Sequence, residues 1–165
     1  MLWFTADTHF GHSNIIQYCH RPFKSVDHMD RELIRRWNDR VKPDDTIIHL
    51  GDFCFKEKDG KNFKYYKDQL NGRLTLVRGN HDHNNGSDAV ITACSINIGG
   101  EDWFLQHEPC KVAKFNMSGH IHKLWKIKKE DNAIMVNVGV DVWNYRPINI
   151  NEILREIYKQ FKEAV

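Results

Sequence analysis

No stretch of the 165 residues approaches 18 consecutive apolar side chains, which argues against a membrane-spanning helix. The opening residues, Met1-Leu2-Trp3-Phe4-Thr5-Ala6-Asp7, lack a basic start and soon turn polar, so no secretory leader is expected. Cysteine is sparse: Cys19, Cys54, Cys94 and Cys110 form no C-x-x-C pair. That points away from a disulfide or cysteine–zinc framework and towards reduced thiols in the cytoplasm. Charge of one sign is also missing. The net charge of +2 is too small to select nucleic acid as a partner or to reject it. Repeats, low-complexity tracts and linkers are absent. A chain that is 41% hydrophobic and 28% charged is an ordinary globular one, not a collagen, a coiled coil or a disordered tail. Its length predicts one domain over residues 1–165, able to bury roughly 70% of its unfolded surface without disulfides. One residue type is plentiful: there are ten histidines.

Apolar runs predict strands at Leu2–Ala6, Thr46–Leu50 and Leu74–Val77. Between them lie a short helix from about Asn14 to Cys19 and a longer one capped by Asp27. The longer helix carries Met29, Leu33, Ile34, Trp37 and Val41 on one face. Lys56–Leu70 is expected to be helical in part, with a core face and a wet face. This strand–helix rhythm predicts parallel connections. The second half reads differently. Ala89–Ile98 and Asp102–His107 form a hairpin signal at Gly99-Gly100. Lys114–Ser118 and Ala133–Val138 read as further strands, and Asn151 caps a last helix with Ile153, Leu154, Ile157 and Phe161 on one face.

Position is the informative feature. Polar clusters recur where apolar strands stop: Asp7/His9, Asp52, Asn80/His81/Asp82, His107 and His120/His122. In α/β sheets, ligands bind beyond the carboxyl ends of strands. In Asp7-x-His9 and His120-x-His122, alternation along an extended chain points both side chains the same way. Oxygen and imidazole donors suit manganese, iron or zinc. Asp7, His9, Asp52, Asn80, His107, His120 and His122 are more ligands than one ion needs, and about right for two ions that share a carboxylate. Two ions roughly 3.5–4 Å apart can bridge a hydroxide nucleophile and clamp both oxygens of a phosphoryl displacement.

Singly, each cluster is an ordinary turn or strand-end group. Together, Asp7-Thr8-His9, Gly51-Asp52, Gly79-Asn80-His81-Asp82, His107 and Gly119-His120-Ile121-His122 stand in order. They resemble the calcineurin-like metallophosphoesterase superfamily, with its signature D-x-H, G-D, G-N-H-(D/E), a lone His and G-H-x-H. Phe10-Gly11-His12, Arg21-Pro22-Phe23, Asn137-Val138-Gly139-Val140-Asp141 and Trp143-Asn144-Tyr145-Arg146-Pro147 resemble the small stand-alone members of bacteria and phages.

The resemblance implies a four-layer α/β/β/α sandwich of mixed sheets, with metals at the strand carboxyl ends. It implies a dinuclear metal-dependent phosphoesterase, with a phosphodiester favoured over a monoester because a short chain has little material to cap the site. Two divalent ions are implied, manganese foremost, with iron, zinc or nickel as alternatives. Asp7, His9 and His122 would hold one ion, Asn80, His107 and His120 the other, and Asp52 would bridge them. His81 would protonate the leaving oxygen and Asp82 would orient it. His12 and Arg78 are candidate substrate contacts, and Tyr145 and Arg146 weaker ones. The substrate would be a phosphate ester, such as a nucleotide or a nucleic-acid end. The pattern departs from the family once: many relatives read G-D-x-x-D, whereas Phe53, Cys54 and Phe55 follow Asp52. The alternative is a non-catalytic metal-binding scaffold on the same fold, as in a retromer subunit. A degenerate scaffold is expected to lack ligands, and this chain lacks none. His49 is expected to face the core, and His20, His28 and His83 the surface. Trp143 is a candidate interface residue. Monomer and oligomer remain open.

Overall fold

The computed structural model describes residues 1–55 and 60–162. In chain order these form β1 (Leu2–Thr5), α1 (Ser13–Tyr18), α2 (Val26–Asn38), β2 (Thr46–His49), α3 (Phe63–Lys67) and β3 (Arg73–Leu76). There follow β4 (Ala93–Ile98), β5 (Glu101–Gln106), β6 (Phe115–Ser118), β7 (Ile127–Glu130), β8 (Ala133–Asn137), β9 (Ile148–Asn149) and α4 (Ile150–Phe161). The first sheet has the order β3-β2-β1-β9 and the second β4-β5-β6-β8-β7. In the first, β1, β2 and β3 are parallel, as the alternating rhythm predicts, and β9 is antiparallel. The second is also mixed: β5, β6 and β8 run parallel, flanked by the β4–β5 hairpin and antiparallel β7. The protein is thus a mixed α/β fold of two mixed sheets and helices.

The main core lies between the sheets. Phe4, Ile48 and Leu50 of the first meet Trp103, Leu105, Met117 and Val136 of the second, and α4 adds Ile153 and Ile157 to the same cluster. Each such buried side chain contributes roughly 1.5–3 kcal/mol. The other face of the first sheet is covered by the helices between its strands, through Met29, Leu33, Tyr66 and Leu76. Tyr66 is buried while its neighbour Tyr65 is exposed, the two-faced pattern expected of that lysine- and aromatic-rich stretch. Residues 56–59 of that stretch lie outside the described residues.

Local chemistry moves several expected boundaries. Ser25, not Asp27, caps α2 by accepting the His28 N–H, which leaves Asp27 in the first turn. Asn149, not Asn151, caps α4 in a reciprocal box with Glu152. β4 starts at Ala93, four residues later than the apolar pattern predicts, with a lone bridge from Ile91 to Val77 before it. β7 and β9 went unread.

The consequence for function is one shared rim. The parallel strands of both sheets end there, and a parallel bridge between Ala6 and Gly139 ties the sheets together at that rim.

Candidate metal centre

Asp7 and His9 leave the end of β1, Asp52 the end of β2, Asn80 and His81 the end of β3, His107 the end of β5, and His120 and His122 the end of β6. Five of the seven expected ligands turn off their strands in the left-handed backbone region: Asp7, His9, Asp52, His120 and His122, with φ between 47° and 70°. Residues other than glycine hold such conformations only where the surroundings over-determine them, which happens most at functional sites. The motif glycines show how tight those surroundings are. A Cβ on Gly79 would stand 2.3 Å from Asp52 Oδ1. One on Gly119 would stand 2.7 Å from Asp7 Oδ2. The glycines let the backbone close on the two carboxylates.

The side chains converge in two groups. Asp7, His9 and His122 offer donor atoms all within 4.8 Å of one another, and so do Asp7, Asp52 and His107. On the other side, Asn80 Oδ1 lies 2.9 Å from His107 Nε2 and 3.1 Å from His120 Nδ1. Asp52 stands between them. Its Oδ2 is 3.5 Å from His9 Nε2 and 3.4 Å from His107 Nε2, and its Oδ1 accepts the His81 N–H at 2.8 Å.

Electrostatics fit a cation here. Asp7 is fully buried, and burial pushes its carboxyl up to about 6. His9 is also buried, which holds its ring well below the usual histidine range. Among the described residues, neither ring nitrogen of His9 has a hydrogen-bond partner. An unpartnered buried imidazole costs free energy unless something else satisfies it. Burial opposes charge on His107, but the Asp52 carboxylate outweighs it and lifts the ring to about 9. The histidines of the site in turn hold Asp52 well below the carboxylate range against its own burial. The donor set of carboxylate, amide oxygen and imidazole contains no thiolate and suits a divalent ion of hard or borderline character. The residues present therefore fit the metals the sequence implies.

Hydrogen bonds select the tautomers. His107 Nδ1 faces the Leu50 carbonyl at 2.7 Å, so it carries the proton and Nε2 faces the cluster. His122 Nδ1 faces Asp141 Oδ2 at 2.9 Å, which leaves Nε2 for the cluster. Asp141 is gripped by Arg21 through Nε at 3.0 Å and Nη2 at 2.9 Å, and both side chains are inaccessible to solvent. Arg21 also donates to the Asp7 and Thr8 carbonyls at 2.7 and 2.9 Å. This buried fork joins the D-x-H turn to the G-H-x-H turn. In the sequence, Arg21 and Asp141 stand only within stretches that carry the resemblance, and no role follows from them there. A charged pair spanning 120 positions leaves no local periodicity to find.

Several expectations need correction. Asp82 does not orient the His81 ring. Its carboxylate is taken up by the N–H groups of Asp52, Phe53 and Gly79 and by the Asn85 amide, so it locks the loops together instead. Tyr145 is buried against Phe23, and Arg146 pairs with Glu152 at the start of α4, so both serve packing. Trp143 is buried, with its Nε1 donating to the Asn137 carbonyl, and is no surface patch. His49 is buried as expected and pairs with the Thr8 hydroxyl at 3.0 Å. His20 and His83 are exposed, and His28 is half-buried. Phe55 stands three residues after Asp52, where the G-D-x-x-D pattern would put a second Asp. Its ring stacks on His12 at 3.9 Å and lies 6.1 Å from His9.

Two recesses flank the cluster. One, of about 530 Å³, runs from His9, His81 and His122 past His12 to Tyr18 and Leu124. The other, of about 280 Å³, lies beside Asn80 and His107 and includes Arg78 and His83. A larger hollow of about 730 Å³ near Lys111 and Asp131 touches none of the expected site residues. There Lys111 is paired to Glu130 and Asp131.

The model of the calcineurin-like phosphoesterase superfamily domain matches residues 2–147. An uncharacterized protein of Methanocaldococcus jannaschii is 32% identical, covering 96% of this chain and 92% of its own. The gene 66 protein of Mycobacterium phage D29 is 31% identical, over 99% and 98% respectively. A solved protein of unknown function from Aquifex aeolicus superposes with a TM-score of 0.75 at 27% identity, over 95% of this chain and 99% of that one.

Proposed function

The chain belongs to the calcineurin-like phosphoesterase superfamily, and on that premise we propose that it hydrolyses a phosphate ester, preferentially a diester, with two divalent ions. The observation that carries this reading is Asp52, whose one oxygen stands between His9 and His107 and so between the two ligand groups. Asp7, His9 and His122 would hold the first ion and Asn80, His107 and His120 the second. We take manganese as the first candidate, with iron, zinc and nickel as alternatives that a mixed carboxylate, amide and imidazole set also accepts. When bound, such ions supply positive charge for the phosphoryl oxygens and a water acidic enough to attack.

The protein's own residues do the rest. Asp52 stays ionised and holds the His81 backbone at the rim. His81 is exposed there, free to give a proton to the departing oxygen. Arg21 and Asp141 keep His122 presenting one nitrogen. Recesses on both sides of the ligands leave room for two organic arms, which favours a diester. Arg78, which lines the smaller recess, and His12, which lines the larger, would meet substrate. Among the described residues no helix is long and apolar enough to cross a membrane. The four cysteines are free, which suits a reducing cytoplasm. We read residues 1–165 as one domain carrying this activity.

The test is hydrolysis of bis(p-nitrophenyl) phosphate and p-nitrophenyl phosphate by metal-stripped protein, with and without added manganese. Diester turnover that appears with manganese and disappears on chelation is expected. Equal turnover with and without metal, or none with metal shown to be bound, overturns the proposal.

A further inference from the structure

The strands at the ends of the two sheets are not alike. β9 is two residues long. β3 spans four residues and starts with Arg73. β7 carries Lys128, Lys129 and Glu130 among its four. β4 is the longest of these, with six residues, Ala93-Cys94-Ser95-Ile96-Asn97-Ile98, and none is charged. Short length, charge and proline are common guards of a sheet edge, and β4 has none of them. Its side chains alternate. Cys94, Ile96 and Ile98 pack against the main core yet stay half-buried, while Ala93, Ser95 and Asn97 are exposed. An apolar row held by the core and open along its flank is a row that one more strand completes.

The backbone shows which groups that strand would meet. Gly99 and Gly100 both have positive φ and turn the chain so that Ile98 stands opposite Glu101. A two-residue turn of this kind closes on a pair that exchanges both hydrogen bonds. Counting back along the register, Ile98, Ile96 and Cys94 therefore spend their backbone groups on β5. Those of Asn97, Ser95 and Ala93 point off the edge, where no strand lies among the described residues. The Asn97 side chain donates to Asp102 and accepts the Gly100 N–H, so it stays within its own hairpin and leaves the edge clear.

We propose that this edge pairs with the same edge of a second copy of the chain, antiparallel about a two-fold axis through Ser95. Ser95 then faces Ser95 of the second copy, and Ala93 faces Asn97 on either side of the axis. About six hydrogen bonds join the two five-stranded sheets into one. An antiparallel strand is complementary to itself, so one patch serves both copies and the assembly closes at two. The side chains nearest the axis are small and uncharged, so nothing there repels. Ile96 comes beside Cys94 of the second copy and carries the apolar row across the axis. The contact is small for a permanent dimer, so reversible association on the order of micromolar is expected. Thr92, the residue before β4, lines the smaller recess. The hairpin tip of the second copy would stand beside that recess.

The experiment is sedimentation equilibrium of the full chain from about 1 to about 500 µM, with a reductant present so that no thiol cross-links the copies. The average mass should rise from one chain towards two. Ser95→Lys sets like charges opposite each other and should weaken association roughly fivefold. Ser95→Pro removes the central N–H of both copies and should weaken it roughly tenfold or more. Ser95 is exposed and its backbone faces away from β5, so circular dichroism of both variants should match the parent. Ser95→Glu should also be weakened alone. Mixed with Ser95→Lys it should regain the dimer, because opposite charges then meet across the axis. Should Ser95→Pro disturb the strand, the Lys and Glu variants still decide. A parent that stays single over the whole range overturns the proposal. So does association unchanged in Ser95→Lys and Ser95→Glu, or a mixture that fails to reassociate.

Discussion

The two halves of the candidate metal centre are built differently. Around Asp7, His9 and His122 the site is deep. Asp7 and His9 are buried, the His9 nitrogens have no hydrogen-bond partner among the described residues, and His122 is held by a buried carboxylate and guanidinium. Around Asn80, His107 and His120 it opens to the rim, with only His107 buried. Asn80 and His120 are exposed, and the three side chains already satisfy one another. The first half is a socket whose unmet polar groups wait for an ion. The second is joined by its own hydrogen bonds at the exposed rim. Rigid support lowers the reorganisation that binding requires, so the deep half should hold its ion more tightly and release it more slowly.

Four substitutions or conditions sharpen or break this contrast. The largest effect is expected from His81, which belongs to neither half. His81→Ala should keep both ions and lose roughly 10²–10⁴-fold in turnover; metal analysis beside steady-state kinetics checks it, and unchanged turnover removes His81 from the chemistry. Next is Asp141→Ala. It strands the buried Arg21 charge and should cost about 3–5 kcal/mol in denaturant unfolding of the metal-free protein. A loss under 1 kcal/mol would show that the fork supports nothing. The milder Asp141→Asn keeps the shape but weakens the hold on His122. Affinity of the deep half should fall roughly 10–100-fold while the other half is untouched. Equal weakening of both steps in a manganese titration would erase the distinction between the halves.

The fourth condition is pH. Without metal, His107 and His122 are raised to about 9 and about 10, so at neutral pH an ion must displace a proton from each. Metal affinity should therefore fall with pH below 9, by at most about tenfold per unit for each proton released. Stability of the metal-free protein should run the other way. The raised values stabilise the fold fully below about 6.5, and that contribution is lost as pH rises towards 9 and 10. Flat profiles in both measurements would contradict the ion pairs with Asp52 and Asp141.

What could be read from sequence follows the same division between local and distant causes. The five motifs were legible because each is a local event: an apolar strand stops and a carboxylate, amide or imidazole turns inward, at three of them beside a glycine (Gly51, Gly79 and Gly119). The parallel strands β1, β2 and β3 and the hairpin at Gly99-Gly100 were legible for the same reason. β7 was not. It holds Lys128 and Lys129 within four residues and lies at the edge of its sheet, where lysines guard a strand rather than mark a loop. β9 is two residues long and exists only through its partner β1. The role of Asp82 was misread because a carboxylate beside a histidine suggests orientation of that ring. Here the nearby loop amides of Asp52 and Phe53 claim it first. The Arg21–Asp141 fork was invisible as a pair, since only the folded chain brings the two turns together.

The most direct test of the account is a manganese count on the stripped and reloaded protein and on Asp52→Asn. Two ions per chain in the parent, taken up in two separable steps, and loss of both steps in the variant are predicted. One ion in the parent, or loss of only one in Asp52→Asn, would contradict the shared carboxylate on which the site is built.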